Sequence, residues 1–206
     1  MATTRDIVVV TAGISQPSST RLLADRLTSA TVEALDGHAV EASVRVVEVR
    51  DLAHDLVDNL LTGFPSPRLR SAIDAVTSAD GIIAVSPVFS ASFSGLFKTF
   101  FDVLEMDALR GMPVALGATG GSERHSLALD HALRPLFAYL GAATVPTGVF
   151  AATDDWGDPD AAADLARRIQ REGQQLGDSV AGRSRPAVSD PFADPVPFSR
   201  LLAGDD

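Results

Sequence analysis

Hydrophobic β-branched runs alternate along the chain with segments of helical period, the pattern that βαβ units produce when a parallel sheet is buried on both faces. The apolar runs predict strands at Ile7 to Ala12, Ser43 to Val49, Gly81 to Ser86, Pro113 to Thr119 and Thr144 to Phe150. The intervening periodic stretches predict helices at Ser19 to Leu35, Arg68 to Ser78, Ser94 to Leu104, Glu123 to Leu140 and Pro159 to Val180. Short connections and right-handed crossovers then give an α/β, flavodoxin-like three-layer sandwich with a five-stranded parallel sheet of order 2-1-3-4-5. After Val180 the pattern changes to Gly182-Arg183-Ser184-Arg185-Pro186, followed by Pro191, Pro195 and Pro197 with Phe192 and Phe198 among them. We therefore expect residues 1–180 to form the domain and 181–206 a Pro-rich C-terminal tail, either disordered or packed along a neighbouring subunit.

The first loop separates this fold from its relatives. Gly13-Ile14-Ser15-Gln16-Pro17-Ser18-Ser19-Thr20 follows the first strand. It contains neither the glycine spacing of a dinucleotide-binding Rossmann turn nor a P-loop. It is instead rich in hydroxyls at the expected start of a helix, where unpaired N–H groups and a partial positive charge collect, so Ser15, Ser18, Ser19 and Thr20 are candidate phosphate donors. A second candidate loop, Pro87, Val88, Phe89 and Ser90, leaves the third strand at the carboxyl edge, where open α/β sheets bind ligands. A third, Thr119, Gly120, Gly121 and Ser122, leaves the fourth strand; its paired glycines let backbone N–H groups approach a ring closely.

Composition narrows the chemistry. The chain has 206 residues, a formal charge of −10 and no cysteine. The acidic balance excludes duplex nucleic acid and anionic membrane as partners, since both require a basic face. Absence of cysteine places any redox chemistry on a cofactor. No apolar run reaches membrane-spanning length and the first residues lack a secretory layout, which predicts a cytoplasmic protein. Of the four histidines, His125 and His131 share one expected helix but stand six residues apart, off a common face, so no metal site is expected. A receiver-like domain would need acidic residues where Ala12 and Ser86 stand.

Ser90-Ala91-Ser92-Phe93-Ser94-Gly95-Leu96-Phe97-Lys98-Thr99, Ala118-Thr119-Gly120-Gly121-Ser122, Ala128-Leu129-Asp130-His131-Ala132-Leu133-Arg134-Pro135 and Gly148-Val149-Phe150-Ala151 together resemble the NADPH-dependent FMN reductase family. The likeness is strongest to the reductases of bacterial alkanesulfonate systems and to those partnered with luciferase-like monooxygenases. The resemblance implies a homodimer or homotetramer in which NAD(P)H reduces FMN, hydride passing from nicotinamide to flavin, with reduced FMN supplied to a two-component monooxygenase partner. By position it makes Ser15, Ser18, Ser19 and Thr20 the phosphate loop, Pro87 to Ser90 the ring-facing loop and Thr119 to Ser122 the second ring-side loop. The chain departs from many relatives in its phosphate loop, where they carry Gly-Ser and an arginine. It departs again at His131, which replaces a tyrosine marking an extra helical position at a subunit interface. Two alternatives share the fold: an FMN-bound quinone or azo reductase, and a non-enzymatic flavodoxin-type electron carrier.

One helix carries its own expectation. Pro135 removes an N–H and crowds the carbonyl four residues earlier, which belongs to His131, so a kink or π-bulge is expected around Leu129 to Pro135. Leu127, Leu129, Leu133, Leu136, Phe137 and Leu140 give the same segment more apolar surface than one sheet contact uses, a further pointer to oligomerisation.

Overall fold

The computed structural model describes residues 3–183; of the Pro-rich tail expected over 181–206, residues 184–206 lie outside the described residues. The elements in chain order are β1 (Thr3–Thr11), α1 (Ser19–Gly37), β2 (Val40–Glu48), α2 (Ala53–Thr62), α3 (Pro67–Ser78), β3 (Gly81–Phe89), β4 (Ser92–Phe93), α4 (Gly95–Asp102), β5 (Pro113–Gly120), a π-helical turn at Leu129–Leu133, α5 (Arg134–Tyr139), β6 (Ala143–Thr144), β7 (Val149–Ala152) and α6 (Pro159–Ala181). Local chemistry sets the starts of the longer helices: Ser18, Ser66 and Ser94 accept a first-turn N–H through their hydroxyls and Asp158 through its carboxylate, and Pro67 and Pro159 open their helices.

The parallel sheet runs β2-β1-β3-β5, with β6 and β7 both pairing on the outer side of β5. This is the expected order, with β6 and β7 together filling the fifth place and β4 added as a short antiparallel cap on the end of β3. Alternation along β1 divides the core: Val8, Val10 and Ala12 face the side covered by α3, α4 and the segment 129–137, whereas Ile7 and Val9 face α1 and α6. On the second side α1 and α6 meet through small residues. A Cβ on Gly173 would stand 2.5 Å from Ala30 Cβ, and one on Gly177 2.5 Å from Ala34 Cβ, so only glycine allows this interhelical distance. That seam fixes where α1 begins at the upper edge of the sheet.

The fifth strand is broken rather than continuous from Thr144 to Phe150. Pro146 offers no N–H, and between Val145 and Gly148 the chain leaves β5. Side chains replace the missing ladder. Leu116 N–H donates to Glu172 Oε1 at 2.7 Å and Thr147 N–H to Gln175 Oε1 at 2.9 Å. From the other face, Arg134 donates to the carbonyls of Val145 at 2.9 Å and Pro146 at 3.0 Å while pairing with Asp130 at 3.1 Å.

The helix expected over Glu123 to Leu140 is likewise interrupted. A 3₁₀ turn occupies Glu123–His125, the π turn follows at Leu129–Leu133, and α5 completes the segment. Arg134 N–H donates to the carbonyl of Leu129, five residues back, which places the distortion where Pro135 demands it. Leu129, Leu133 and Phe137 are buried, leaving Leu127 and Tyr139 as the exposed apolar side chains of the segment.

Candidate functional site

At the carboxyl edge of β1, β3 and β5 the three loops converge. Ser15, Ser19, Thr20, Pro87, Val88, Phe89, Thr119, Gly120 and Gly121 line one cavity of about 440 Å³, together with Ile14 and Thr153. That volume lies within the range of small-molecule sites. Ser18 lines the adjoining cleft of about 360 Å³ with Arg21, Glu48 and Arg50. Ser90 and Ser122 stand outside both linings: Ser90 is at a hairpin tip, and Ser122 Oγ accepts the Arg124 N–H at 3.2 Å to start the next turn.

The loop after β1 is shaped by its glycine and its caps. Ser18 Oγ accepts the Arg21 N–H at 3.2 Å, leaving the N–H groups of Ser19 and Thr20 in the first turn without intrahelical partners. Gly13 packs so closely that a Cβ would meet Ser18 Oγ at 2.1 Å. Thr20 is buried and its hydroxyl is hydrogen-bonded to that of Thr119 at 2.8 Å, which joins the start of α1 to the end of β5. Its backbone N–H therefore stays available while its hydroxyl is engaged. Ser15 and Ser19 remain exposed.

Charge around this loop is largely compensated. Arg21 pairs with Asp25 at 2.7 Å and with Glu48; hydrogen bonds to Asp25 first, then Glu48, raise its pKa above the ordinary value. Arg50, a residue the sequence reading did not single out, donates to the Ser15 carbonyl at 3.2 Å. It follows β2, the neighbour of β1, so the strand order itself is the signal that could have found it. Thr153, just past β7, was missed because that strand's break hides where its carboxyl end falls.

The ring-side loops are stiff. Ser86, fully buried, accepts the Ser94 N–H at 3.0 Å and ties the two ends of the β3–β4 hairpin together. The two-residue loop Ser90-Ala91 has φ of 51° and 68°, the paired left-handed conformation of a type I′ turn without glycine. It holds Phe89 half exposed at the cavity mouth. In the second loop a Cβ on Gly120 would stand 2.9 Å from Phe150 Cζ, so a side chain there would displace the Phe150 ring.

None of the side chains lining the larger cavity is an acid or a base. Hydroxyls, helix-start N–H groups and a flat apolar wall form a surface that binds and orients, with the chemistry left to a bound cofactor. These features fit FMN: neutral donors for a phosphate at one end, glycine backbone and apolar contacts for a planar ring at the other.

Comparison with known proteins agrees. The family model for NADPH-dependent FMN reductase matches residues 5–157. An FMN reductase (NADPH) of Pseudomonas aeruginosa is 37% identical over 179 residues, which are 86% of this chain and 94% of that protein. The NADH-dependent FMN reductase SfnF of Pseudomonas putida is 40% identical, over 72% of this chain and 77% of its own. Among solved structures, an oxidoreductase from Corynebacterium diphtheriae superposes with a TM-score of 0.86 at 43% identity, covering 89% of this chain and 100% of that one.

Proposed function

The chain belongs to the NADPH-dependent FMN reductase family and is an NAD(P)H:FMN oxidoreductase; from that premise we propose that it works as a cytoplasmic homo-oligomer and hands reduced FMN to a separate flavin-dependent monooxygenase. Bound FMN supplies the acceptor for the nucleotide's hydride; the chain supplies binding, orientation and water exclusion.

The observation that carries the proposal is how lightly the site is built to hold an anion. Its phosphate end consists of the Ser15, Ser18 and Ser19 hydroxyls and the Ser19 and Thr20 N–H groups, while the two guanidinium groups beside the loop are paired, Arg21 with Asp25 and Glu48 and Arg50 with Asp51 at 3.5 Å. The mouth is open at Phe89 and Ser15. Neutral donors in an open cavity suit a flavin that is bound, reduced and released, rather than a prosthetic group. Exposed Leu127 and Tyr139 beside the π turn support association of copies.

The test is to replace Ser15, Ser18 and Ser19 by alanine and measure affinities for FMN and riboflavin. FMN should weaken by at least tenfold more than riboflavin, because only FMN carries the phosphate; each hydrogen bond to a charged group contributes about 1.5–3 kcal/mol. Equal loss for both flavins would overturn the phosphate assignment. Transfer is tested separately: quinone or azo-dye turnover with FMN permanently bound would favour the resident-flavin alternative over release.

A further inference from the structure

Strand β2 lies at one end of the sheet: β1 pairs with its inner side, and no described strand pairs with its outer side. We propose that two copies of this chain join β2 to β2, antiparallel, about a twofold axis through Ser43, so that their sheets become one. This contact is separate from the association at Leu127 and Tyr139 and does not depend on it.

Three observations converge. The first is exposure. Alternation puts Val40, Ala42, Val44 and Val46 on the α1 side of the sheet, and Glu41, Ser43 and Arg45 on the side of Val47. Ser43 to Val46 are exposed on whichever face they take, Val44 to 40% and Val46 to 37%. A nine-residue edge strand with unpaired N–H and C=O groups and exposed valines is a template for another strand.

The second is charge. A cavity of about 490 Å³ between β2 and α3 has Arg45 and Arg68 in its lining. Arg45 donates to Ser71 Oγ at 2.9 Å and Arg68 to the Asp51 carbonyl at 3.3 Å, and neither forms an ion pair among the described residues. The two carboxylates of the same lining are engaged with guanidinium groups of the phosphate-loop cleft, Glu48 with Arg21 and Asp51 with Arg50. The cavity therefore offers positive charge that a second chain can meet. Glu41, which also forms no ion pair among the described residues, stands on the same side of β2 as Arg45.

The third is register. A twofold axis normal to the sheet keeps the same face of both copies on one side, so it passes through a residue and not between two. With Ser43 on the axis, Glu41 of each copy falls opposite Arg45 of the other, Ala42 opposite Val44, and Val40 opposite Val46. Both exposed valines then meet apolar residues, and two opposite-charge pairs form on the cavity side. Neighbouring centres lose this match. Val44 on the axis sets Glu41 against Val47, Arg45 sets two guanidinium groups together, and Ala42 leaves Glu41 facing Ser43.

The proposal is tested with the full chain by two independent readouts. Because the chain has no cysteine, Ser43→Cys introduces a single thiol, and opposed residues of antiparallel strands have Cα atoms about 4.5–5.5 Å apart, within disulfide reach. Under mild oxidation at micromolar concentration, Ser43→Cys should form a covalent dimer at least tenfold faster than Ser179→Cys, an exposed site on α6. Sedimentation is run in a Leu127→Asp, Tyr139→Asp background, which isolates β2 from the face beside the π turn. There Glu41→Arg and Arg45→Glu should each weaken association at least tenfold, and the two together should restore it to within about threefold. FMN reduction by each variant reports that it is folded, and the Ser43→Cys comparison decides the matter for any that is not. Crosslinking no faster than the control, or a folded double exchange that stays as dissociated as the single ones, would overturn the proposal. Wild-type association without a Ser43 crosslink would leave the face beside the π turn as the contact and strike this one alone. A crosslink at Ser43 with association unmoved by Leu127→Asp and Tyr139→Asp would strike only the earlier reading. Uncrosslinked chains whose β2 amides are shielded from hydrogen exchange by a synthetic peptide of alternating valine and glutamate would assign the edge to an acidic partner, which also overturns self-pairing.

Discussion

Replacing Glu172 by glutamine should flatten the pH dependence of this protein's stability. The carboxyl is fully buried on α6; Oε1 accepts the Leu116 N–H at 2.7 Å, and Oε2 has no hydrogen-bond partner among the described residues. Desolvation is the largest influence and pushes its pKa well above the ordinary 4.5, against the weaker pull of the Leu116 amide and the Arg134 charge. The folded chain thus keeps this proton over a range in which the unfolded chain has lost it. The associated stability is fully present below the unfolded pKa and is lost as pH rises through the folded one. One proton limits the slope to about 1.4 kcal/mol per pH unit, and in a domain of this size each kcal/mol moves Tm by roughly 2–4 °C. Glutamine keeps the acceptor for Leu116 and cannot ionise. Melting curves of wild type and Glu172→Gln across a pH series should therefore separate progressively in the variant's favour as pH rises. A difference that is constant with pH would refute the reasoning. Glu172→Ala provides the contrast, because it also strands the Leu116 N–H and should lie about 1–3 kcal/mol below Glu172→Gln at every pH.

Gly13→Ala should displace the Ser18 cap, since its Cβ would stand 2.1 Å from Ser18 Oγ; chemical denaturation should show a loss of about 1 kcal/mol, and fluorescence titration a weakened FMN affinity. Gly173→Val should force α1 and α6 apart at Ala30 and lower stability by about 1–3 kcal/mol or more in a denaturant titration, while a substitution at exposed Arg171 leaves it within about 0.5 kcal/mol. His131→Ala should leave the far-ultraviolet circular dichroism unchanged, because Pro135 rather than His131 imposes the π turn, yet alter FMN affinity or transfer to an oxygenase; unchanged affinity and turnover would remove a flavin role for His131.

What could be read from the chain, and what could not, follows from where each determinant lies. The central strands were legible because Ile7 to Val10 and Ile82 to Val85 are uninterrupted apolar runs, buried on both faces. Their polar extensions were not: Thr3 to Asp6 pair with Val40 to Ser43 but carry no hydrophobic residue to mark them as strand. Helix α2 was missed because only Leu56 is buried on it, whereas Val57, Leu60 and Leu61 are exposed, so its apolar residues trace no single inward stripe. The π turn was legible because its cause, Pro135, lies within it. The break between β6 and β7 was not, because the groups that stabilise it, Glu172 and Gln175, come from a helix more than twenty residues later. At the site, the hydroxyl-rich first loop announced itself by composition. That Thr20 turns inward to Thr119 could not be seen, since it depends on the packing of two elements distant in sequence.

The Thr20–Thr119 hydrogen bond bears on how this chain can drift. The two hydroxyls are buried and meet at 2.8 Å across ninety-nine positions of sequence. Exchanging either for valine strands the other in an apolar setting, whereas exchanging both for isosteric apolar residues costs little. Neutral change at either position is therefore blocked one step at a time and open two steps at a time. Across homologues the pair should be inherited as a unit, either both hydroxyl-bearing or both apolar, and a natural sequence carrying one without the other should show a compensating polar group nearby.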